Sequence, residues 1–180
     1  HGVVNIAGII HRFTPFADLA PHETEKVMMV NFWGTVVVTR AFLPLLTERP
    51  EAALVNMSSL SALVPFAGQA FYGASKGAVK QFSEGLYAEL MDSAVTVSTI
   101  YPGNIATNLG ANSGVSMIDS KGQKVSATSP AEAGRLIVEG IVRGRFRIIV
   151  GKDAKLLDRL VRFAPRWTTR LVAKRMKSVL

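Results

Sequence analysis

The chain has 180 residues, 48% apolar and 8% aromatic, which is enough for one hydrophobic core and too short for a second domain of usual size. It contains no cysteine, which excludes disulfides and thiolate chemistry and is compatible with a cytoplasmic location. The net charge of +8 is gathered at one end: residues 143–180 hold twelve Lys and Arg against two Asp, while residues 1–142 hold nine basic groups against eleven acidic ones.

In chain order, residues 2–6 read as an apolar strand, 22–46 as a helix, 53–58 as a strand, 70–92 as a helix and 95–101 as a strand. A helix over 130–143, a strand over 146–150 and helices near 153–164 and 166–178 complete the pattern. Alternating strands and helices predict an α/β fold with a parallel sheet covered on both faces, and the strands are apolar throughout, as buried parallel strands are. Ser129-Pro130-Ala131-Glu132 is a helix start in which Ser caps, Pro suits the first helical position and Glu can reach back. Residues 108–128, rich in Gly, Ser and Asn, predict a long loop, and Gly110, Gly114, Gly140 and Gly144 read as loop and helix-end glycines.

Residues 1–151 form the α/β unit, and residues 152–180 a basic, amphipathic helical extension of the same domain. No apolar run reads as a membrane span and none of these residues reads as a signal peptide, a segment that a lost N-terminus could have carried. His1, His11 and His22 share no helical or strand spacing, which makes them exposed loop residues and predicts no metal site.

The chemistry lies between residues 56 and 76, where Asn56-Met57-Ser58-Ser59 follows an apolar strand and Tyr72-Gly73-Ala74-Ser75-Lys76 opens a helix. A free phenol is a poor acid-base catalyst at neutral pH, but an ammonium four residues away on the same helical face favours the phenolate. A serine from the neighbouring strand end supplies a second hydrogen bond to the same substrate oxygen. A Tyr-x-x-x-Lys pair alone is weak; its position beside a strand's carboxyl end, where open α/β sheets bind ligands, lifts it. The grouping points to carbonyl reduction or alcohol oxidation.

Five segments in order resemble the short-chain dehydrogenase/reductase family: Asn5-Ile6-Ala7-Gly8, Val30-Asn31-Phe32, Asn56 to Ser59, Tyr72 to Lys76, and Tyr101-Pro102-Gly103-Asn104-Ile105-Ala106-Thr107. Ile6 departs from the family's usual Asn-Asn-Ala-Gly. The resemblance covers residues 1 to about 151 and implies a Rossmann-like doubly wound sheet, an NAD(P)(H)-dependent oxidoreductase and a homodimer or homotetramer packed through helices 22–46 and 70–92. It implies Ser59, Tyr72, Lys76 and Asn31 as the catalytic set, with Ser59 favoured over Ser58 by the thirteen-residue step to Tyr72. Asn31 would help hold a water behind Lys76; by pattern alone it is an uncharged polar residue bonding its own turn or a neighbouring loop.

The implied cofactor-binding residues are Asn5, Ala7 and Gly8 beside the adenosine ribose, Tyr72 and Lys76 at the nicotinamide ribose, and Pro102, Gly103, Ile105 and Thr107 at the carboxamide. The choice between NAD and NADP stays open. The family's Gly-rich phosphate turn does not occur in these 180 residues, and His1 already stands inside what resembles the family's fourth strand. The expectation is an N-terminal truncation that leaves strand 2–6 as an exposed edge, and a fragment with little or no activity alone.

In the C-terminal segment Lys155, Arg159, Arg162, Arg166, Arg170 and Lys174 recur every three or four residues, with Leu156, Leu157, Leu160, Val161, Trp167 and Leu171 largely on another side. This pattern fits a helix over the substrate pocket with a solvated charged face, a peripheral contact with anionic membrane, or a nucleic-acid tail. No base-reading motif is present, so no nucleic-acid partner is expected. An apolar small-molecule carbonyl or alcohol suits the first two readings. The rival to an enzyme is a non-catalytic Rossmann-like binding protein with a basic membrane-surface helix.

Overall fold

The structure, a computed structural model, describes residues 1–115 and 127–176. Strands β1 (Gly2–Asn5), β2 (Ala52–Met57), β3 (Val95–Pro102) and β4 (Arg147–Val150) form one parallel sheet in the order β1-β2-β3-β4. Val3 pairs with Leu54, Val55 with Ser98 and Ile100 with Ile148. Parallel neighbours need long crossovers, and helices supply them. Helices α1 (Pro21–Met28) and α2 (Gly34–Thr47) join β1 to β2, α3 (Ala70–Glu89) joins β2 to β3, and α4 (Leu109–Ser113) and α5 (Pro130–Val142) lie between β3 and β4.

The two-residue period of a strand divides the core. Ala52, Leu54, Val95 and Val97 pack against Leu46 of α2 and Leu86 of α3. Val55, Ile100, Ile148 and Val150 turn to the other face and meet Ala133 of α5. The Rossmann-like arrangement is therefore present, with each strand end within one residue of its expected place. Edge strand β1 leaves Val4 exposed, and Ile6 just after it is exposed as well.

Three local expectations are corrected. The helix read over 22–46 is not uniform, because a π-helical segment, Met29–Trp33, separates α1 from α2. Together Pro21–Thr47 is long and apolar enough to cross a membrane by length and composition, contrary to the reading that no run reaches that length. Its buried polar residues Asn31, Thr35 and Thr39 face the protein, while Trp33, Val37, Phe42 and Leu45 on its other side are exposed. The expected loop over 108–128 begins with the short helix α4, closed by Gly114 in the left-handed conformation; residues 116–126 lie outside the described residues.

At α5, Ser129 Oγ accepts from the Glu132 N–H at 3.2 Å as expected, but the Glu132 carboxylate pairs with Arg135 rather than reaching back. Gly140, in the last turn of α5, is needed for packing: a Cβ there would sit 2.7 Å from Ile148.

Two C-terminal helices follow the sheet, α6 (Lys152–Phe163) and α7 (Pro165–Met176). Their inner sides, through Ala154, Leu157, Val161 and Val172, cover Leu60, Val64 and Phe66 of the segment after β2. Residues 177–178 of the expected helix are outside the described residues.

Candidate active site

The site forms where β2 ends and α3 begins. Ser58 continues the strand, its N–H donating to Ile100 O at 2.9 Å, and its hydroxyl donates to Lys76 O at 2.8 Å. Ser58 is thereby a structural tie between β2 and α3. Ser59 has extended backbone, and its Oγ accepts from the Ser61 N–H at 3.1 Å while capping a short 3₁₀ turn, Leu60–Ala62. Its hydroxyl also donates to Ser61 Oγ at 3.3 Å, a long bond that a substrate oxygen could replace.

Tyr72 and Lys76 stand one helical turn apart on α3, 8% and 3% exposed. Burial pushes the Tyr72 phenol above its ordinary pKa, with Ser59 pulling the other way. Lys76 Nζ donates to Met57 O at 3.0 Å, and burial lowers the ammonium to about 8. The expected lowering of Tyr72 by Lys76 is thus reversed in direction, because both groups are desolvated and the lysine is turned to the β2 carbonyl. A phenol held in its protonated form is a proton donor at neutral pH.

Asn31, fully buried in the π-helical segment, fixes the loop after β1. Its Oδ1 accepts from the Ile9 N–H at 2.8 Å, and its Nδ2 donates to Ile9 O at 2.9 Å and to Ser75 Oγ at 3.0 Å. The pattern reading of a bond to a neighbouring loop holds, and with both amide protons engaged the side chain acts here as a clamp. Gly8 lies between this clamp and the lysine: a Cβ would be 2.9 Å from Lys76 Nζ and 3.2 Å from Asn31 Oδ1. Asn31→Ala is expected to cost about 1–3 kcal/mol, because Ile9 loses two buried partners; urea unfolding measures it.

His11 is a correction. It is 4% exposed rather than a surface loop residue: its Nδ1 is 2.7 Å from Arg12 O and its Nε2 accepts from the Tyr72 N–H at 3.2 Å. It therefore caps the first turn of the catalytic helix from a distant loop. Gln69, also buried, donates to His11 O at 2.9 Å and holds the same loop. His1 and His22 are exposed as expected, and no metal-holding cluster occurs among the described residues.

The remaining candidates sit at the same carboxyl edge of the sheet. Ala7 is exposed and Gly8 half-buried after β1, whereas the Asn5 side chain is committed to Asn56 Oδ1 at 2.8 Å and Thr39 Oγ1 at 3.3 Å. Pro102-Gly103 ends β3, Ile105 bridges to Thr128, and Thr107 is exposed. The turn is braced from α6: Asp153 accepts from the Asn104 N–H at 2.8 Å, and a Cβ on Gly103 would fall 2.5 Å from the Asp153 carboxylate.

The profile of the short chain dehydrogenase family matches residues 1–116. The chain belongs to this family. Among the chain's relatives, SadH of Mycobacterium tuberculosis is 35% identical over 188 residues, covering 96% of this chain and 66% of SadH. Estradiol 17-beta-dehydrogenase 2 of Rattus norvegicus is 44% identical over 108 residues, 59% of this chain and 28% of that protein. The chain thus spans about two thirds of the length of SadH. A short chain dehydrogenase from Burkholderia cenocepacia, solved in complex with NADP, superposes with a TM-score of 0.82 at 25% identity, over 95% of this chain and 68% of that one.

Sequence reasoning missed the roles of His11, Ser75, Gln69 and Asp153. Ser75 lies inside the Tyr72–Lys76 stretch and was open to notice; its hydroxyl donates to Tyr72 O at 2.8 Å. Asp153, two residues after Gly151 at a helix start, carried a weak positional signal. His11 carried none, because its partner is 61 residues away.

Proposed function

We propose that the full-length protein is an NAD(P)(H)-dependent oxidoreductase that interconverts a carbonyl and a secondary alcohol. The observation that carries this reading is the convergence of Ser59, protonated Tyr72 and Lys76 at the carboxyl end of β2. When bound, the nicotinamide cofactor supplies the hydride or accepts it. The residues fit such a group in kind: Ala7 and Gly8 after β1, and Pro102, Gly103 and Thr107 after β3, line the sheet edge where α/β folds bind nucleotides.

In reduction, Tyr72 donates its phenolic proton to the developing alkoxide and Ser59 donates a hydrogen bond to the same oxygen; in oxidation the two transfers reverse. Lys76 positions the first turns of α3 through Met57 O and offers its ammonium to the ribose hydroxyls. Asn31 keeps the Gly8 loop against this lysine through its two bonds to Ile9, and is proposed to help hold a water behind it.

An apolar substrate is supported by the likeness to estradiol 17-beta-dehydrogenase 2. A homodimer or homotetramer is supported by the outer side of α2, where Val37, Phe42 and Leu45 are exposed together. The 180-residue stretch alone is proposed to turn over little, since it contains no Gly-rich phosphate turn.

The test is an assay of the full-length gene product with NAD(H) and NADP(H) against a panel of hydrophobic ketones and secondary alcohols, following reduced-nicotinamide absorbance. Turnover with at least one cofactor, lowered about a hundredfold by Ser59→Ala, is the expected result. A protein that binds neither cofactor and converts no member of the panel overturns the reading.

A further inference from the structure

The net positive charge of the chain is carried on a surface whose apolar content the fold leaves unused. The inner sides of α6 and α7 are spent on Leu60, Val64 and Phe66. Yet Leu156, Phe163 and Trp167 remain 58%, 89% and 56% exposed on the other side. At 100° per residue, Leu156 and Phe163 share one face of α6 with Lys152, Lys155 and Arg159. Trp167 shares one face of α7 with Arg166, Arg170 and Lys174, all exposed. The helices meet at Ala164 with an N–H to carbonyl bond on each side, from Ala164 N to Leu160 O and from Thr168 N to Ala164 O, so Phe163 and Trp167 flank the elbow.

Among the described residues, Lys152, Lys155, Arg159, Arg166, Arg170 and Lys174 make no ion pair. Between residues 152 and 176 the only acids are Asp153, which accepts from the Asn104 N–H, and Asp158, which is buried and paired with Arg162 at 3.0 Å. Single exposed apolar residues need no explanation, but two aromatics and a leucine set among six unpaired cations form a pattern with a physical preference. Aromatic rings favour the boundary between headgroups and acyl chains, and each basic residue near an anionic leaflet adds electrostatic attraction.

We propose that the outer face of α6 and α7 docks on an anionic phospholipid bilayer, with Phe163, Trp167 and Leu156 entering the headgroup boundary and the cations meeting lipid phosphates and carboxylates. Asp153 ties the first turn of α6 to the turn after β3, so the docked face is anchored directly behind the proposed site. The proposal concerns attachment alone and stands or falls apart from the oxidoreductase reading.

The experiment is co-sedimentation of the 180-residue chain with vesicles of phosphatidylcholine alone and of phosphatidylcholine with about 30% phosphatidylserine, at about 0.1 M salt. Binding to the anionic vesicles at least about tenfold tighter than to the neutral ones is expected, as is a comparable loss in Phe163→Ser/Trp167→Ser and in Arg159→Glu/Arg166→Glu. Both pairs change exposed positions, and far-UV circular dichroism checks that the fold is kept. In a Trp33→Phe background Trp167 is the only tryptophan, and its emission should shift to the blue when anionic vesicles are added.

No sedimentation with either vesicle overturns the proposal. So does binding that the serine pair leaves unchanged and that duplex DNA reproduces, which would mark a simple polycation. Burial of the face in a dimer of this chain, shown by sedimentation equilibrium and abolished by the serine pair without vesicle binding, overturns it as well.

Discussion

Tyr72→Phe in the full-length protein is expected to lower kcat by about 10²–10⁴-fold with little change in KM. The phenolic proton is needed only as the alkoxide forms, so its loss is felt in the transition state and not in substrate binding. The fold should survive, because the ring stays packed at 8% exposure and the Tyr72 backbone keeps its bonds to His11 and Ser75. Steady-state kinetics and thermal unfolding on the same samples check both halves. Full activity in the Phe variant removes Tyr72 from the mechanism. The burial-raised pKa adds a finer expectation: the reductive rate should hold through the mildly alkaline range, since the proton donor is lost only above the ordinary phenol value of about 10.

The second large effect is on stability and belongs to Lys76. Its ammonium is lowered to about 8 in the folded chain against 10.5 in a free side chain. Between these two values the unfolded chain binds more protons than the folded one, so stability rises with pH across that window. Below about 8 both states are protonated and the fold bears the full cost of burying the charge, on the order of 3 kcal/mol. Lys76→Met should abolish the rise. Urea unfolding of both proteins from pH 7 to about 10.5 measures it, and taking the difference between the two curves cancels the other titrating groups. Equal slopes in the two proteins would show that Lys76 is not desolvated in the fold.

Ser59, Tyr72 and Lys76 were legible because their chemistry is written in short spacings that strand and helix geometry convert directly into proximity. The strands were legible for a similar reason, as apolar runs with abrupt polar ends. The electrostatics were not. Spacing alone favours a lysine that acidifies its tyrosine, but the outcome depends on how deeply β2, α3 and the Gly8 loop bury both groups and on which carbonyl the lysine finds. His11 was misread as a surface residue for a related reason: its two bonds are made to backbone atoms, which leave no trace in side-chain pattern. The helix at 109–113 was hidden by Gly110, Asn112 and Ser113, residues of low helix propensity that an otherwise polar context reads as loop.

The widened segment at Met29–Trp33 has a bearing on chain length. Val27, Asn31, Thr35 and Thr39 are all buried at intervals of four residues. In an unbroken α-helix, a four-residue repeat drifts by about 40° per step, and three steps would carry Thr39 about a third of a turn away from Val27. The π-helical segment accommodates more residues per turn and takes up that drift, so Thr39 still faces Asn5. The segment is thus a phase correction: the number of residues between Val27 and Thr39 is constrained as tightly as their identity. One residue fewer, with the widened turn kept, would bring Arg40 into the place of Thr39 and set a guanidinium against the polar cluster of Asn5 and Asn56.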